Sequence, residues 1–164
     1  MENTEKTAKN TQKILNKLIS EETVAFTLYE GAMSAVKPEF FPFIAKKFQE
    51  IADDERNDHW ASLRKFAMEN GYEVPYKFKD IEKHASDKMV KLLNSIKDGE
   101  NAVYYIGKAI ESEVEAIASF EEAMNSEYVF ELQPLLLKCY YDEIQHLEDL
   151  QLLLECASIG VVMK

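Results

Sequence analysis

A carboxylate and an imidazole stand where a buried helix face would normally carry leucine. Glu143 and His146 are three residues apart, and residues at that spacing project from one face of a helix. A carboxylate buried without a partner is costly, so we expect a positive charge to meet it, with a metal ion as the leading candidate. The other positions of this face are Leu136, Cys139, Tyr140, Leu147, Leu150, Leu153 and Leu154.

Acids interrupt the apolar stripes of three other segments. Glu22 and Glu113 each lie within a stripe of helical period. Glu55 interrupts a third stripe and is followed by Asp58 and His59, which are three and four residues later. Both spacings share a helix face with Glu55, so either residue is a candidate ligand. We favour His59, because a single turn of π-helix, a feature often found at functional sites, would bring it into line.

These residues together predict a metal site of glutamates and histidines. Iron or manganese suits such donors first, and zinc next. The four glutamates are also the candidate catalytic residues. The predicted ligands are Glu22, Glu55, His59, Glu113, Glu143 and His146.

Four long helices are needed to position these side chains. The chain contains only 5 Gly and 4 Pro among 164 residues and shows little strand-like alternation, which favours an all-α fold. The apolar periodicity predicts helices over about 11–36, 42–70 (or from residue 39), 100–124 and 132–157. Pro38 ends the first of them, since the residue before a proline avoids helical geometry.

The lengths of the connections predict the topology. Short turns join the first two helices and the last two, whereas a long crossover over 71–98, with an extra helix inside it, joins the two pairs. This connectivity is that of an up-down-down-up four-helix bundle with one crossover. We expect one bundle over 11–157, a flexible N-terminal tail over 1–10 and a C-terminal tail over 158–164.

Charge and hydropathy limit the partners and the location. The formal net charge of −11 argues against nucleic acid as a partner. No run approaches the roughly 20 apolar residues of a membrane span, and the N-terminus lacks the apolar core of a signal peptide, so we expect a cytoplasmic protein. Cys139 and Cys156 share one predicted helix and would be ~25 Å apart at about 1.5 Å per residue, too far for a disulfide.

Several side chains near the predicted ligands have ordinary structural roles. Tyr29 and Tyr140 are interpreted as core aromatics whose hydroxyls bind ligand carboxylates. Cys139 is interpreted as buried packing, with an oxidisable thiol near the metals as the alternative. Trp60 is expected at a boundary or interface, and His84 at the surface.

The motifs resemble those of the ferritin-like superfamily, most closely its bacterioferritin and rubrerythrin members. One glutamate from each of two helices and a Glu-x-x-His from each of the other two is the dimetal arrangement of these bundles. The resemblance extends over about 14–157. The motifs that carry it are Glu22 with Tyr29 seven residues later, Glu55 within Asp-Asp-Glu-Arg-Asn-Asp-His, Glu113 with Phe120 seven residues later, and Glu143-Ile-Gln-His146.

The resemblance implies a role for each ligand. Glu22 and Glu113 would each bind one of two irons, with manganese or zinc as alternatives. Glu55 and Glu143 would bridge the two ions, and each histidine would complete one of them.

The chain departs from the family pattern in three places. The family has a histidine where Asp58 stands, which leaves the choice between Asp58 and His59 open. Arg56 stands where haem-binding bacterioferritins have methionine, so haem is not expected. The sequence has no Cys-x-x-Cys pair, so the rubredoxin module of a full rubrerythrin is not expected.

The resemblance implies a ferroxidase that binds Fe(II), oxidises it with O2 or peroxide, and serves iron storage or detoxification. It also implies assembly into a homo-oligomer, either a dimer or a cage. One alternative is a peroxide reductase or a di-iron oxygenase acting on an organic substrate. The other is a metal-free helical bundle that serves as an interaction module.

Overall fold

The computed structural model describes residues 2–36, 42–75 and 102–158, and within them the secondary structure is helical. α2, a π-helix and α3 form one continuous rod, because Asp53 and Ala61 at the two junctions both have right-handed helical angles. We call this unit the α2–α3 rod. The elements are α1 (Glu2–Ala35), α2 (Pro42–Asp53), the π-helix (Asp54–Trp60), α3 (Ala61–Glu69), α4 (Ala102–Met124), a 3-10 turn (Phe130–Leu132) and α5 (Gln133–Ser158).

Contacts between the helices fix their relative directions. Between α1 and the rod, Glu22 meets His59 and Glu30 meets Arg56, so the numbering rises along one helix as it falls along the other. The contacts of α1 with α4, and of α5 with both α4 and the rod, show the same reversal. α1 and α5 therefore point one way and the rod and α4 point the other. The predicted up-down-down-up, all-α bundle is confirmed.

Two apolar clusters fill the bundle, one at each side of the predicted ligands. We name them after their large aromatic residues Phe48 and Phe120, both of which are buried. The Phe48 cluster includes Tyr29 and Tyr105, and the Phe120 cluster includes Cys139. Burying a large apolar side chain contributes about 1.5–3 kcal/mol, so these clusters hold the helices together and keep water from the layer between them.

The N-terminal boundary differs from the prediction. α1 begins at Glu2, whereas the sequence indicated a tail over 1–10 and a helix from about residue 11. The first turns have no apolar stripe, but they bind the connection between α4 and α5: the Thr7 hydroxyl donates to Glu127 at 3.2 Å, and the Lys6 ammonium lies 3.6 Å from the same carboxylate. Extending an existing helix costs far less than starting one, so these contacts suffice.

The other described boundaries lie close to those predicted. The stop at Asn70-Gly71 is confirmed: Gly71 has a φ of +76°, and the Tyr72 amide donates to the Ala67 carbonyl at 2.8 Å, which closes a Schellman motif. Most of the predicted crossover, with its extra helix and His84, and the tail after Ser158 fall outside the described residues. No helix that is described combines the length and apolarity needed to cross a membrane.

Candidate metal centre

The π-helix determines whether Asp58 or His59 faces the interior of the bundle together with Glu55. Glu55 and His59 are both 0 % exposed, and they lie one wide turn apart on the inner face of the rod. Asp58 lies on the outer side, partly exposed, and accepts a hydrogen bond from Lys138. The structure therefore places His59, and not Asp58, among the glutamates.

The six predicted ligands meet between the four helices. Glu22 comes from α1, Glu113 from α4, and both Glu143 and His146 from α5, and none of the six is more than 4 % exposed. On α5 the spacing of three residues in a regular helix turns both side chains inward, as the sequence indicated. The rod reaches the same result with a spacing of four residues through its wider turn.

The six side chains form two overlapping groups. The first consists of Glu22, Glu55, His59 and Glu143, and the second of Glu55, Glu113, Glu143 and His146. Within each group, one ligand atom from every residue lies within 4.8 Å of the others. Glu55 and Glu143 belong to both groups. This is the arrangement of two adjacent cation positions that share two carboxylates.

Both histidines turn the same ring nitrogen towards the centre. His59 Nδ1 lies 2.9 Å from Glu143 Oε1 and 3.2 Å from Glu55 Oε2. His146 Nδ1 lies 3.3 Å from Glu55 Oε1 and 3.8 Å from Glu113 Oε2. Each group therefore has one imidazole nitrogen directed at its carboxylates.

The outer nitrogens are held by two aspartates that the sequence analysis did not assign. His59 Nε2 lies 3.0 Å from Asp142 Oδ2, and His146 Nε2 lies 3.0 Å from Asp54 Oδ2. Each aspartate sits on the helix opposite its histidine. An acceptor at Nε2 keeps the proton there and leaves the Nδ1 lone pair free for a cation. The signal was present, because an Asp-Glu pair occurs at both 54–55 and 142–143.

The donor set suits a pair of cations. Several buried ligand atoms form no hydrogen bond of normal geometry within the protein, although imidazole nitrogens lie near them. Unpaired buried carboxylate oxygens are costly, and a cation removes that cost. Glutamate oxygens with a few imidazole nitrogens fit iron or manganese. The atoms that lack such a hydrogen bond are Glu22 Oε2, Glu55 Oε1, Glu113 Oε2, both carboxylate oxygens of Glu143, and His146 Nδ1.

Without a cation, protons stabilise the site. Burial raises the pKa of Glu113 to about 8 and the pKa of Glu22 well above its usual range, and neighbouring carboxylates add to both shifts. Burial alone would lower the pKa of each histidine, but the attraction of the surrounding carboxylates outweighs it, so the pKa values of His59 and His146 lie well above normal. Cations entering the centre must displace these protons.

The predictions for the two tyrosines have different outcomes. The Tyr29 hydroxyl donates to Glu113 Oε1 from a fully buried position, as predicted. For Tyr140 the prediction is half right: its ring packs against the Phe120 cluster, but its hydroxyl donates to Glu121 Oε1 at 3.1 Å and not to a predicted ligand.

The surroundings of Cys139 and Trp60 indicate that both side chains serve packing. Cys139 is fully buried within the Phe120 cluster, and burial raises the pKa of its thiol, as expected for packing and not for a reactive group. Both cysteines are free. Trp60 is partly buried, packs edge-to-face on Phe26 with centroids 5.6 Å apart, and lies 4.3 Å from the Arg64 guanidinium.

A polar pocket of about 160 Å³ reaches the outer side of His146. Its lining contains Asp54, the acceptor for His146, and further acids from the rod and α5. Lys47 lies at its rim and pairs with Glu50 at 2.8 Å and Asp149 at 3.3 Å. We call it the acidic pocket. Its carboxylates favour cations over organic molecules.

Comparison with known proteins identifies the family. The family model described as Rubrerythrin matches residues 13–154, which is most of the chain. The chain belongs to the rubrerythrin family. The resemblance to the ferritin-like di-iron superfamily is thereby confirmed. No curated protein and no solved structure shows significant similarity to the chain.

Proposed function

We propose that this rubrerythrin-family chain binds two iron ions and oxidises Fe(II), with O2 or peroxide accepting the electrons. The observation that carries the proposal is the pair of overlapping ligand groups that share Glu55 and Glu143. Family membership supports iron as the metal and O2 or peroxide as the oxidant.

Each side chain has a distinct task in the proposed centre. Glu22 and Glu113 would each hold one ion, and Glu55 and Glu143 would bridge the two. Bound iron would supply the capacity to give up electrons one at a time from two adjacent ions. Carboxylates suit this chemistry because their charge stabilises Fe(III) more than Fe(II).

The surrounding residues keep the ligands in place and move protons. Asp54 and Asp142 fix the imidazole rings by accepting from Nε2, and the Tyr29 hydroxyl fixes Glu113. Protons on Glu22 and Glu113 leave when cations enter. The acidic pocket beside His146 would collect Fe(II) as substrate from solvent.

An anaerobic Fe(II) titration followed by a pulse of oxygen tests this function. We expect binding to saturate near two irons per chain, one per ligand group, followed by rapid oxidation and then further iron uptake. Glu143→Gln keeps the side-chain volume but removes a bridging charge, and it should slow oxidation by more than about tenfold. Glu155→Gln, an exposed position of the same helix, is the matched control. Equal rates in all three proteins would refute the proposal.

A second candidate is peroxide reduction with electrons from an external reductant. The rubrerythrin match favours it, and it would use the same two-ion centre. The two functions differ in their electron source. Repeated peroxide consumption with a reductant, and no iron uptake beyond the two resident ions, would favour this second function.

A further inference from the structure

The outer side of the π-helix carries a charged contact that the proposed reaction does not use. Lys138 on α5 donates to Asp142 Oδ2 at 2.8 Å and also to Asp58 Oδ2 on the rod. Asp142 Oδ2 in turn lies 3.0 Å from His59 Nε2. One ammonium group therefore joins two helices directly behind a predicted ligand. We call this contact the Lys138 clasp.

The sequence of the rod offers the centre two different donors. On α5, a regular helix turns Glu143 and His146, three residues apart, into the site. Asp58 stands at the same spacing from Glu55, so a regular helix in the rod would direct the Asp58 carboxylate inward. The π-helix directs the His59 imidazole inward instead. The register of a single turn thus decides between an oxygen and a nitrogen ligand.

The positive charge of Lys138 in the clasp favours the π-helix, in which Asp58 faces outward. In that register Asp58 and Asp142 approach the same point on the surface, where two carboxylates alone would repel each other. The Lys138 ammonium lies between them and converts the repulsion into attraction. The π-helix is otherwise rare and depends on compensating contacts such as this one.

The other histidine of the centre needs no such contact. The helix around His146 is regular, and Asp54, which accepts from His146, is 59 % exposed. Lys47, the nearby cation, is directed to Glu50 and Asp149. Lys47 also joins the rod to α5, but Lys138 is the lysine that pairs with an aspartate supporting a histidine, and that histidine is the one for which the sequence offers a choice.

We propose that Lys138 is a positioning residue that selects His59 over Asp58 as the ligand from the rod. It does so by holding Asp58 on the outer surface and by supporting Asp142 behind the imidazole. In the part of the chain that the structure describes, the ion pairs of Lys138 are with Asp58 and Asp142 and not with the six predicted ligands, so Lys138 acts through these two aspartates. This inference rests on the proposed metal centre, and it explains how the chain retains one nitrogen donor for each ion despite its Glu-x-x-Asp-His sequence.

Proton NMR of the Co(II)-loaded protein tests the proposal. Each imidazole bound to Co(II) through Nδ1 shows a paramagnetically shifted, exchangeable Nε2–H signal. The wild-type chain should show two such signals, one for each histidine of the centre. Lys138→Met should lose the His59 signal and keep the His146 signal, because Asp58 replaces the imidazole. Lys138→Arg keeps the cation and should retain both.

A double variant separates selection from simple stabilisation. If Lys138 acts by keeping Asp58 outside, removing the competing carboxylate in Lys138→Met/Asp58→Ala should restore the His59 signal. If Lys138 only supports local packing, the double variant will not regain it, and the proposal is overturned. Two unchanged signals in Lys138→Met would also overturn it. Thermal unfolding of each variant verifies that the bundle is folded.

Spectra of the metal-free protein provide an independent test of the role of Lys138. In ¹⁵N-histidine spectra, the buried His59 Nε2–H should exchange slowly in the wild-type chain and rapidly in Lys138→Met. If the wild-type chain binds no Co(II), the proposed function fails, and these metal-free spectra alone decide the inference on the register. Slow exchange of His59 in Lys138→Met would then refute it.

Discussion

At the scale of single residues, the centre relies on partners that lie outside the ligand set. A histidine that binds a cation through Nδ1 needs an acceptor at Nε2, and its loss typically weakens metal binding by about 10–100-fold. Asp54 and Asp142 fill this role from opposite helices. The predicted ligands and their supports therefore alternate between the helices: the rod and α5 each supply a glutamate common to both ligand groups and an aspartate that orients the histidine of the other helix.

Removing one support should weaken metal binding while leaving the ligands intact. Asp54→Asn replaces the carboxylate that accepts from His146 with a neutral amide, and we expect about a 10–100-fold loss of Co(II) affinity. The adjacent, exposed Asp53→Asn is the control. Competition with a chromophoric chelator measures both. Equal affinities would show that Asp54 does not orient the histidine.

The raised pKa values make metal binding depend on pH. Burial and neighbouring carboxylates raise the pKa of Glu113 to about 8, so this carboxyl is largely protonated at neutral pH in the metal-free protein, and they raise the pKa of Glu22 as well. Cations bind the deprotonated forms. Affinity should therefore rise with pH up to about 8, the pKa of Glu113, by about tenfold per pH unit for each proton displaced, and fall as the solution is acidified.

Calorimetry in two buffers with different ionisation enthalpies counts those protons. We expect release of more than about one proton per chain on loading with Mn(II) at pH 7. The same titration at a pH two units higher should release fewer. Binding without proton release would contradict the electrostatic description of the metal-free site.

At the scale of elements, the sequence predicted the positions of the helices well, but it predicted poorly which of two neighbouring residues faces the interior. Apolar periodicity located four helices and the inward acids, because a buried stripe and its interruptions are local features. It favoured His59 over Asp58 but could not settle the choice, because the partner of Asp58 is Lys138, which lies on another helix far along the chain. The Tyr140 hydroxyl was misplaced for a similar reason, since tertiary packing decides its direction.

The N-terminal turns of α1 illustrate the same limit. Their residues are polar and have no stripe, so only the contact with Glu127 between α4 and α5 shows that they extend the bundle. Glu127→Ala should expose these turns, giving faster amide hydrogen exchange over residues 2–10. The global stability should fall by about 1 kcal/mol or less, because the contacts are exposed. Glu131→Ala is the control, and unchanged exchange would show that the contact is dispensable.

At the scale of the whole molecule, the centre joins all four helices between two apolar clusters. Every long helix contributes at least one ligand, so a bound cation stabilises the folded chain and has no comparable site in the unfolded chain. The clusters supply the stability of the metal-free bundle, whereas the cation offsets the cost of burying the carboxylates.

Metal loading should therefore raise the melting temperature. At a free Mn(II) concentration of 100 times Kd, each site adds about 2.7 kcal/mol, which corresponds to roughly 5–10 °C for a chain of this size. Glu143→Gln should show a much smaller increase. Equal melting temperatures with metal and with chelator would favour the metal-free interaction module.

The most direct test of the central claim is anomalous X-ray diffraction at the iron edge, from crystals loaded anaerobically with Fe(II). The account predicts two peaks between the helices, about 3.5–4 Å apart. Glu55 and Glu143 should lie between the peaks, with His59 at one and His146 at the other. A single peak, or peaks confined to the surface acids, would contradict it.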